Sequence, residues 1–123
     1  VARIDQSLND QSKPVNGSRV ALLGVSYKSG VGDTRESPAL KIVTLLKELG
    51  AEVVYHDPHV PELGTHGLTS EPFPDLLEGA DVAVVVTVHP GVDHTRLHEQ
   101  AAAVVDLRGI TRFGPDAPNV TRL

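Results

Sequence analysis

Two short apolar runs restrict the folds open to this chain more than any other feature. Val82-Ala83-Val84-Val85-Val86 contains no polar residue, and neither does Val20-Ala21-Leu22-Leu23, which Val25 follows after one glycine. A strand with one wet face alternates polar and apolar residues, so these runs belong to strands covered on both faces, as in the middle of a parallel sheet. After the first run, Ala39, Leu40, Ile42, Val43, Leu45, Leu46 and Leu49 recur at helical spacing, with Lys41, Thr44, Lys47 and Glu48 placed to meet solvent. Ser37-Pro38 supplies an N-cap and first-turn pair for that helix, and Gly50 its C-terminal cap. A strand over 51–55 follows and is stopped by Pro58. Strand, helix and strand in this order form a βαβ unit, whose crossover is expected to be right-handed.

The remaining elements extend that unit. Val1, Ile4 and Leu8 are spaced as the end of an amphipathic helix, and Pro14, Asn16 and Gly17 turn the chain into the first strand. Residues 59–74, rich in proline, glycine and polar side chains, read as a loop with a short edge strand near Leu68; Phe73, Leu76 and Leu77 mark a short helix ended by Gly79. A helix is expected over 93–100 and a last parallel strand over 103–107, with 114–123 irregular because Gly114, Pro115 and Pro118 oppose regular structure. The fold class is therefore α/β: a Rossmann-like, doubly wound, mainly parallel sheet with helices on both faces. Residues 1–16 are a helix end and turn, 17–113 the α/β domain, and 114–123 a tail.

Such folds bind ligands outside the carboxyl ends of their strands. The loops there span residues 26–35, 56–59 and 87–91, with Arg108 and its neighbours, and the first and last carry cations. Lys28 and Arg35 flank a turn containing Gly30, Gly32 and Asp33, just before a helix N-terminus, an arrangement suited to a phosphorylated ligand. Lys28 reads either as a cation reaching into the cleft or as an ordinary solvated lysine; Arg35 either meets a ligand or pairs with Asp33 or Glu36. Arg108 follows a buried strand, where an unpaired cation implies a ligand or an ion pair with Asp106. Asp57 resembles the acidic residue that holds a ribose in dinucleotide folds, but the loop after the first strand lacks Gly-x-Gly-x-x-Gly, so Asp57-Pro58 reads as structural and NAD binding by this domain alone is not expected.

Composition removes other classes. The 123 residues suffice for one domain, and 11 basic against 16 acidic residues give a net charge of -5, with no global field for nucleic acid or an anionic membrane. No apolar run approaches a membrane span of roughly 18 residues, and the first residues lack a signal-peptide profile, so a soluble, cytoplasmic protein is expected. The absence of cysteine excludes disulfides, thiolate metal sites and thiol nucleophiles from these residues. His94 and His98 are spaced i, i+4 and His56 lies near His59, yet without His-Glu-x-x-His or cysteine no metal is expected. There is no Gly-x-Ser-x-Gly elbow for a serine hydrolase. A receiver-like signalling domain would share the topology but needs an acidic cluster that Asp57-Pro58 does not provide.

Gly-Val-Ser-Tyr-Lys (24–28), Asp-Thr-Arg-Glu-Ser-Pro (33–38), Tyr-His-Asp-Pro (55–58) and Val-Asp-Leu-Arg (105–108) together resemble the C-terminal domain of the UDP-glucose/GDP-mannose dehydrogenase family, from about residue 17 to 109. The resemblance implies that Lys28 and Arg108 contact a UDP-sugar substrate and that Arg35, supported by Asp33, approaches NAD bound mainly by an N-terminal domain. It implies an enzyme that oxidises the sugar's C6 alcohol to a carboxylate with two NAD molecules, through a thiohemiacetal on a cysteine upstream of this domain; this chain would then be non-catalytic alone, partnered by the N-terminal and central domains of a homo-oligomer. Tyr-His-Asp-Pro-His-Val-Pro is similar to members that oxidise UDP-N-acetylhexosamines, although Leu107 does not fix the subfamily. The alternative is a free-standing, non-catalytic module that binds a nucleotide or a protein partner.

Overall fold

The computed structural model describes residues 2–26, 37–89, 92–94, 97–114 and 117–122. Helix α1 (Ala2–Asp10) leads into strand β1 (Arg19–Leu23); helix α2 (Pro38–Glu48) and strand β2 (Glu52–His56) follow. Strands β3 (Glu62–Leu63) and β4 (Leu68–Thr69) form a small hairpin, and β5 (Val82–Val85), β6 (Val104–Asp106) and β7 (Val120–Arg122) complete the chain, with 3-10 turns between them. The main sheet has the order β2-β1-β5-β6-β7, and every pairing within it is parallel.

The two unalternated runs are the central strands. Because successive side chains of a strand point to opposite faces, Val20 and Leu22 enter one apolar layer while Ala21 and Leu23 enter the other. Val82 and Val84 separate from Ala83 and Val85 in the same way, and all eight are buried. Both α-helices cover the first layer: α1 through Ile4 and Leu8, and α2 through Ala39, Ile42, Val43 and Leu46. Burial of each large aliphatic among them contributes roughly 1.5–3 kcal/mol. The sheet is the expected Rossmann-like, mainly parallel α/β sheet, covered on both faces. Among the described residues the second layer is closed by 3-10 turns, with Leu76 and Leu77 from Asp75–Leu77 and Leu97 from Leu97–Glu99.

Three expectations need correction. The helix over 93–100 is reduced, among the described residues, to the turn Leu97–Glu99, so His94 and His98 do not share an α-helical face; His94 is buried and His98 lies beside Glu99 at 4.0 Å. The tail 114–123 is not wholly irregular, since β7 adds a fifth strand. It is tied down by polar contacts: the Asn119 carbonyl accepts from the Val104 N–H at 2.8 Å, and Arg122 Nε donates to Thr111 Oγ1 at 2.9 Å. Finally, Leu45 and Leu49, which share the apolar spacing of α2, lie on its outer side with about half their surface exposed, 45% and 49%. The edge strand near Leu68 is present as β4, paired with β3, and Ser70 bridges to Tyr55 of β2.

Candidate functional site

The strand order reverses at β1, which has β2 on one side and β5 on the other; in an open α/β sheet such a switch point, here the carboxyl ends of β1 and β5, is where the ligand crevice is expected. The chain can pass here because of Gly24, whose φ is +83°. A Cβ at Gly24 would lie 2.3 Å from the Thr87 carbonyl oxygen and 2.6 Å from its Cβ. This glycine therefore serves a backbone approach between two loops rather than an approach to a pyrophosphate.

Five buried polar side chains meet beneath the crevice: Ser26, Ser37, Asp57, Thr87 and His89. Asp57 Oδ2 accepts the N–H groups of Val25 at 2.9 Å and Ser26 at 3.1 Å and lies 2.9 Å from His89 Nε2; its Oδ1 accepts the His59 N–H at 2.8 Å. A carboxylate is only an acceptor, so this network assigns the proton of the imidazole to Nε2. The same Nε2 is 2.9 Å from Ser26 Oγ, and the His59 ring stands 4.9 Å from the His89 ring. Burial alone would raise the Asp57 pKa, but the backbone donors of Val25 and His59 and the His89 ring outweigh it and hold the group below its ordinary 3.8. Asp57 is accordingly a charged organiser of the loops after β1 and β2. The structural reading of Asp57-Pro58 holds, with a wider reach than ending a strand.

Arg108 is exposed. Its Nε donates to the Val86 carbonyl at 2.7 Å, which pins the guanidinium at the carboxyl end of β5. It does not pair with the Asp106 carboxylate, because those oxygens accept from the backbone of Arg108 at 3.0 Å, Gly109 at 2.8 Å and Thr111 at 2.8 Å and from the Thr111 hydroxyl at 2.5 Å. Burial opposes the charge on Asp106, and these donors more than offset it, so its pKa is lowered. Of the two readings left open for Arg108, the ion pair with Asp106 is thus removed, and among the described residues no carboxylate forms a salt bridge with its guanidinium. Lys28, Asp33 and Arg35 lie outside the described residues; the residues bounding that segment, Ser26 and Ser37, are described and are joined by a hydrogen bond from Ser37 Oγ to the Ser26 carbonyl at 3.4 Å.

Thr87 and His89 were not distinguishable as site residues from sequence. They carried one signal, their place directly after a buried parallel strand. Their loop, 87–91, is one of those at the carboxyl ends of the strands, but their partners lie more than 30 positions away: Ser26 for the Thr87 hydroxyl at 2.8 Å, and Asp57 with Ser26 for the imidazole. Among the described residues no group of three His, Cys, Asp or Glu side chains could hold a metal ion.

A parallel sheet whose strand order reverses over a cluster of buried polar side chains, with an arginine fixed at the rim, defines an α/β domain of the nucleotide-binding class. The chain belongs to the UDP-glucose/GDP-mannose dehydrogenase family, whose UDP binding domain matches residues 21–113. It is 44% identical over 71 residues to a UDP-N-acetyl-D-mannosamine dehydrogenase of Pyrococcus horikoshii, covering 58% of this chain and 16% of that protein. It is 33% identical over 108 residues to a UDP-glucose 6-dehydrogenase of Rhizobium meliloti, covering 80% and 24% respectively. The solved structure of the UDP-D-ManNAc dehydrogenase from Pyrococcus horikoshii superposes with a TM-score of 0.79 at 28% identity, over 97% of this chain and 28% of that one. The chain therefore spans between 16% and 28% of the length of these relatives.

Proposed function

We propose that this chain is the substrate-holding domain of an NAD-dependent UDP-sugar 6-dehydrogenase, which oxidises the C6 alcohol of a UDP-hexose or UDP-N-acetylhexosamine to the carboxylate. The observation that carries this reading is the match of residues 21–113 to a UDP binding domain. Arg108 supports it: an exposed guanidinium fixed by its own Nε presents its remaining N–H donors at the mouth of the crevice, where an oxyanion or a sugar hydroxyl can accept them. Lys28 is the second proposed substrate contact. Arg35, oriented by Asp33, is the proposed contact to the cofactor.

The main NAD site is not assigned to the first loop of this domain, from which Arg35 would only approach the cofactor. That loop has no Gly-x-Gly-x-x-Gly, and Gly24 is occupied against Thr87. The cofactor and the catalytic cysteine are assigned to the part of the polypeptide that the relatives possess beyond this chain. The contribution of this domain is to hold and orient the sugar nucleotide, which lowers the barrier by positioning rather than by bond chemistry.

The test is turnover by the complete polypeptide. With UDP-glucose, UDP-N-acetylglucosamine and UDP-N-acetylmannosamine offered in turn, one of them should reduce NAD, about two equivalents per sugar as an alcohol passes to an acid. Arg108→Ala should raise the KM for that sugar nucleotide by about tenfold or more, on the order of 1.4 kcal/mol, and Lys28→Ala should weaken kcat/KM by a similar factor. UDP binding without any NAD reduction would instead describe a non-catalytic binding module.

A further inference from the structure

We infer that His89, acting through Asp57 and Ser26, is a positioning residue for sugar-nucleotide binding, an inference that rests on the function proposed above. Ser26 immediately precedes residues 27–36, which contain Lys28 and Arg35, and Ser37 immediately follows them. Every polar atom of Ser26 is held. Its N–H donates to Asp57 Oδ2 at 3.1 Å, its Oγ lies 2.9 Å from His89 Nε2, and its carbonyl accepts from Thr87 Oγ1 at 2.8 Å and Ser37 Oγ at 3.4 Å. Those partners come from three places: the end of β2, the end of β5 and the N-cap of α2. Ser37 Oγ also accepts the Ala39 N–H at 3.2 Å, so the same hydroxyl caps the helix and joins the two ends of the segment.

All of this is buried, with Ser26 fully so and His89 2% exposed. Apolar residues could fill the volume without the desolvation cost of an imidazole, a carboxylate and three hydroxyls. What an apolar core could not do is fix one backbone residue from several directions, and a fully satisfied polar network does that. His89 is its hub among the described residues, with Nε2 2.9 Å from both Asp57 Oδ2 and Ser26 Oγ. Its effect on the ligand is indirect. It sets where the chain leaves the sheet two residues before Lys28.

The experiment compares His89→Ala and His89→Gln in the complete polypeptide by steady-state kinetics and thermal melting. Gln retains an N–H donor that can reach the Asp57 carboxylate. His89→Ala is expected to raise the KM for the UDP-sugar by about tenfold while kcat changes by less than about threefold, and His89→Gln to recover KM to within about threefold of wild type. A lowered melting temperature with unchanged KM, or equal KM losses in both variants, overturns the assignment. Should His89→Ala fail to fold, calorimetric titration of UDP into Asp57→Asn replaces it: weakening by about tenfold supports the role, and unchanged affinity overturns it. A wild-type protein that neither binds UDP nor turns over a UDP-sugar overturns the functional reading itself, and this inference with it, whereas normal wild-type activity with unaffected variants removes this inference alone.

Discussion

Gly24 and Asp57 show how single residues shape this crevice. Gly24 combines a positive φ with a backbone so close to Thr87 that an added Cβ would lie 2.3 Å from its carbonyl oxygen, so any side chain there must displace the loop after β5. Gly24→Ala is expected to destabilise the domain by at least about 2 kcal/mol in urea unfolding, since the backbone strain and the overlap add; a loss below about 0.5 kcal/mol would show that the two loops separate easily. Asp57 is an acceptor for backbone groups 31 and 32 positions earlier in the chain. Its place at a strand end was legible, and so was the absence of a dinucleotide glycine pattern before it. Its partners were not, because no local periodicity encodes a contact between the ends of two different strands. His89 was hidden for the same reason, as one of six histidines without a ligand pattern, distinguished only by what the fold brings to it.

At the scale of elements, α1 belongs to the core. Ile4 and Leu8 are buried in the layer that also contains Val82, Val84 and Val105, and at its C-terminal end Lys13 forms an ion pair with Asp81 while Gln11 Nε2 donates to the Asp81 carbonyl at 3.1 Å. Leu8→Ala should cost about 2–5 kcal/mol, the range for truncating a fully buried leucine, measured by chemical unfolding. A cost near zero would mean that α1 is a detachable linker. The central strands and α2 were readable because their patterns are strong and uninterrupted. The element after β5 was not: residues 93–100 hold a single apolar side chain, Leu97, too few to set a helical period, and among the described residues only the 3-10 turn Leu97–Glu99 forms, from which Leu97 enters the core. β7 was missed because its glycine and proline neighbours suggest a coil, whereas Asn119 anchors it by donating to the carbonyls of His98 at 3.1 Å and of Ala101 and Ala102 at 3.3 Å. Long-range polar anchors of this kind leave no mark in a hydropathy pattern.

For the molecule as a whole, acid should act in two stages. Burial lowers the His94 pKa below its ordinary 6.5, against the raising influence of the Val92 backbone and of Asp106 and Asp93. The unfolded chain then takes up the proton at higher pH than the folded one, so stability declines as pH falls through 6.5. Asp57, Asp81 and Asp106 have lowered pKa values, so their contributions persist above the ordinary 3.8 and disappear as pH falls below it. His94→Asn should flatten the decline that sets in as pH falls through 6.5 and leave the second stage in place; an unchanged first stage would show that another group governs it.

On the proposed function, the switch between β1 and β5 holds the nucleotide part of a UDP-sugar. Calorimetric titration of UDP into the complete polypeptide, wild type beside Arg108→Ala, decides whether it does. Saturable binding that weakens by about tenfold or more in the variant, with the melting temperature unchanged, is the predicted result. Equal UDP affinity in the two proteins, or no binding to the wild type, would contradict it.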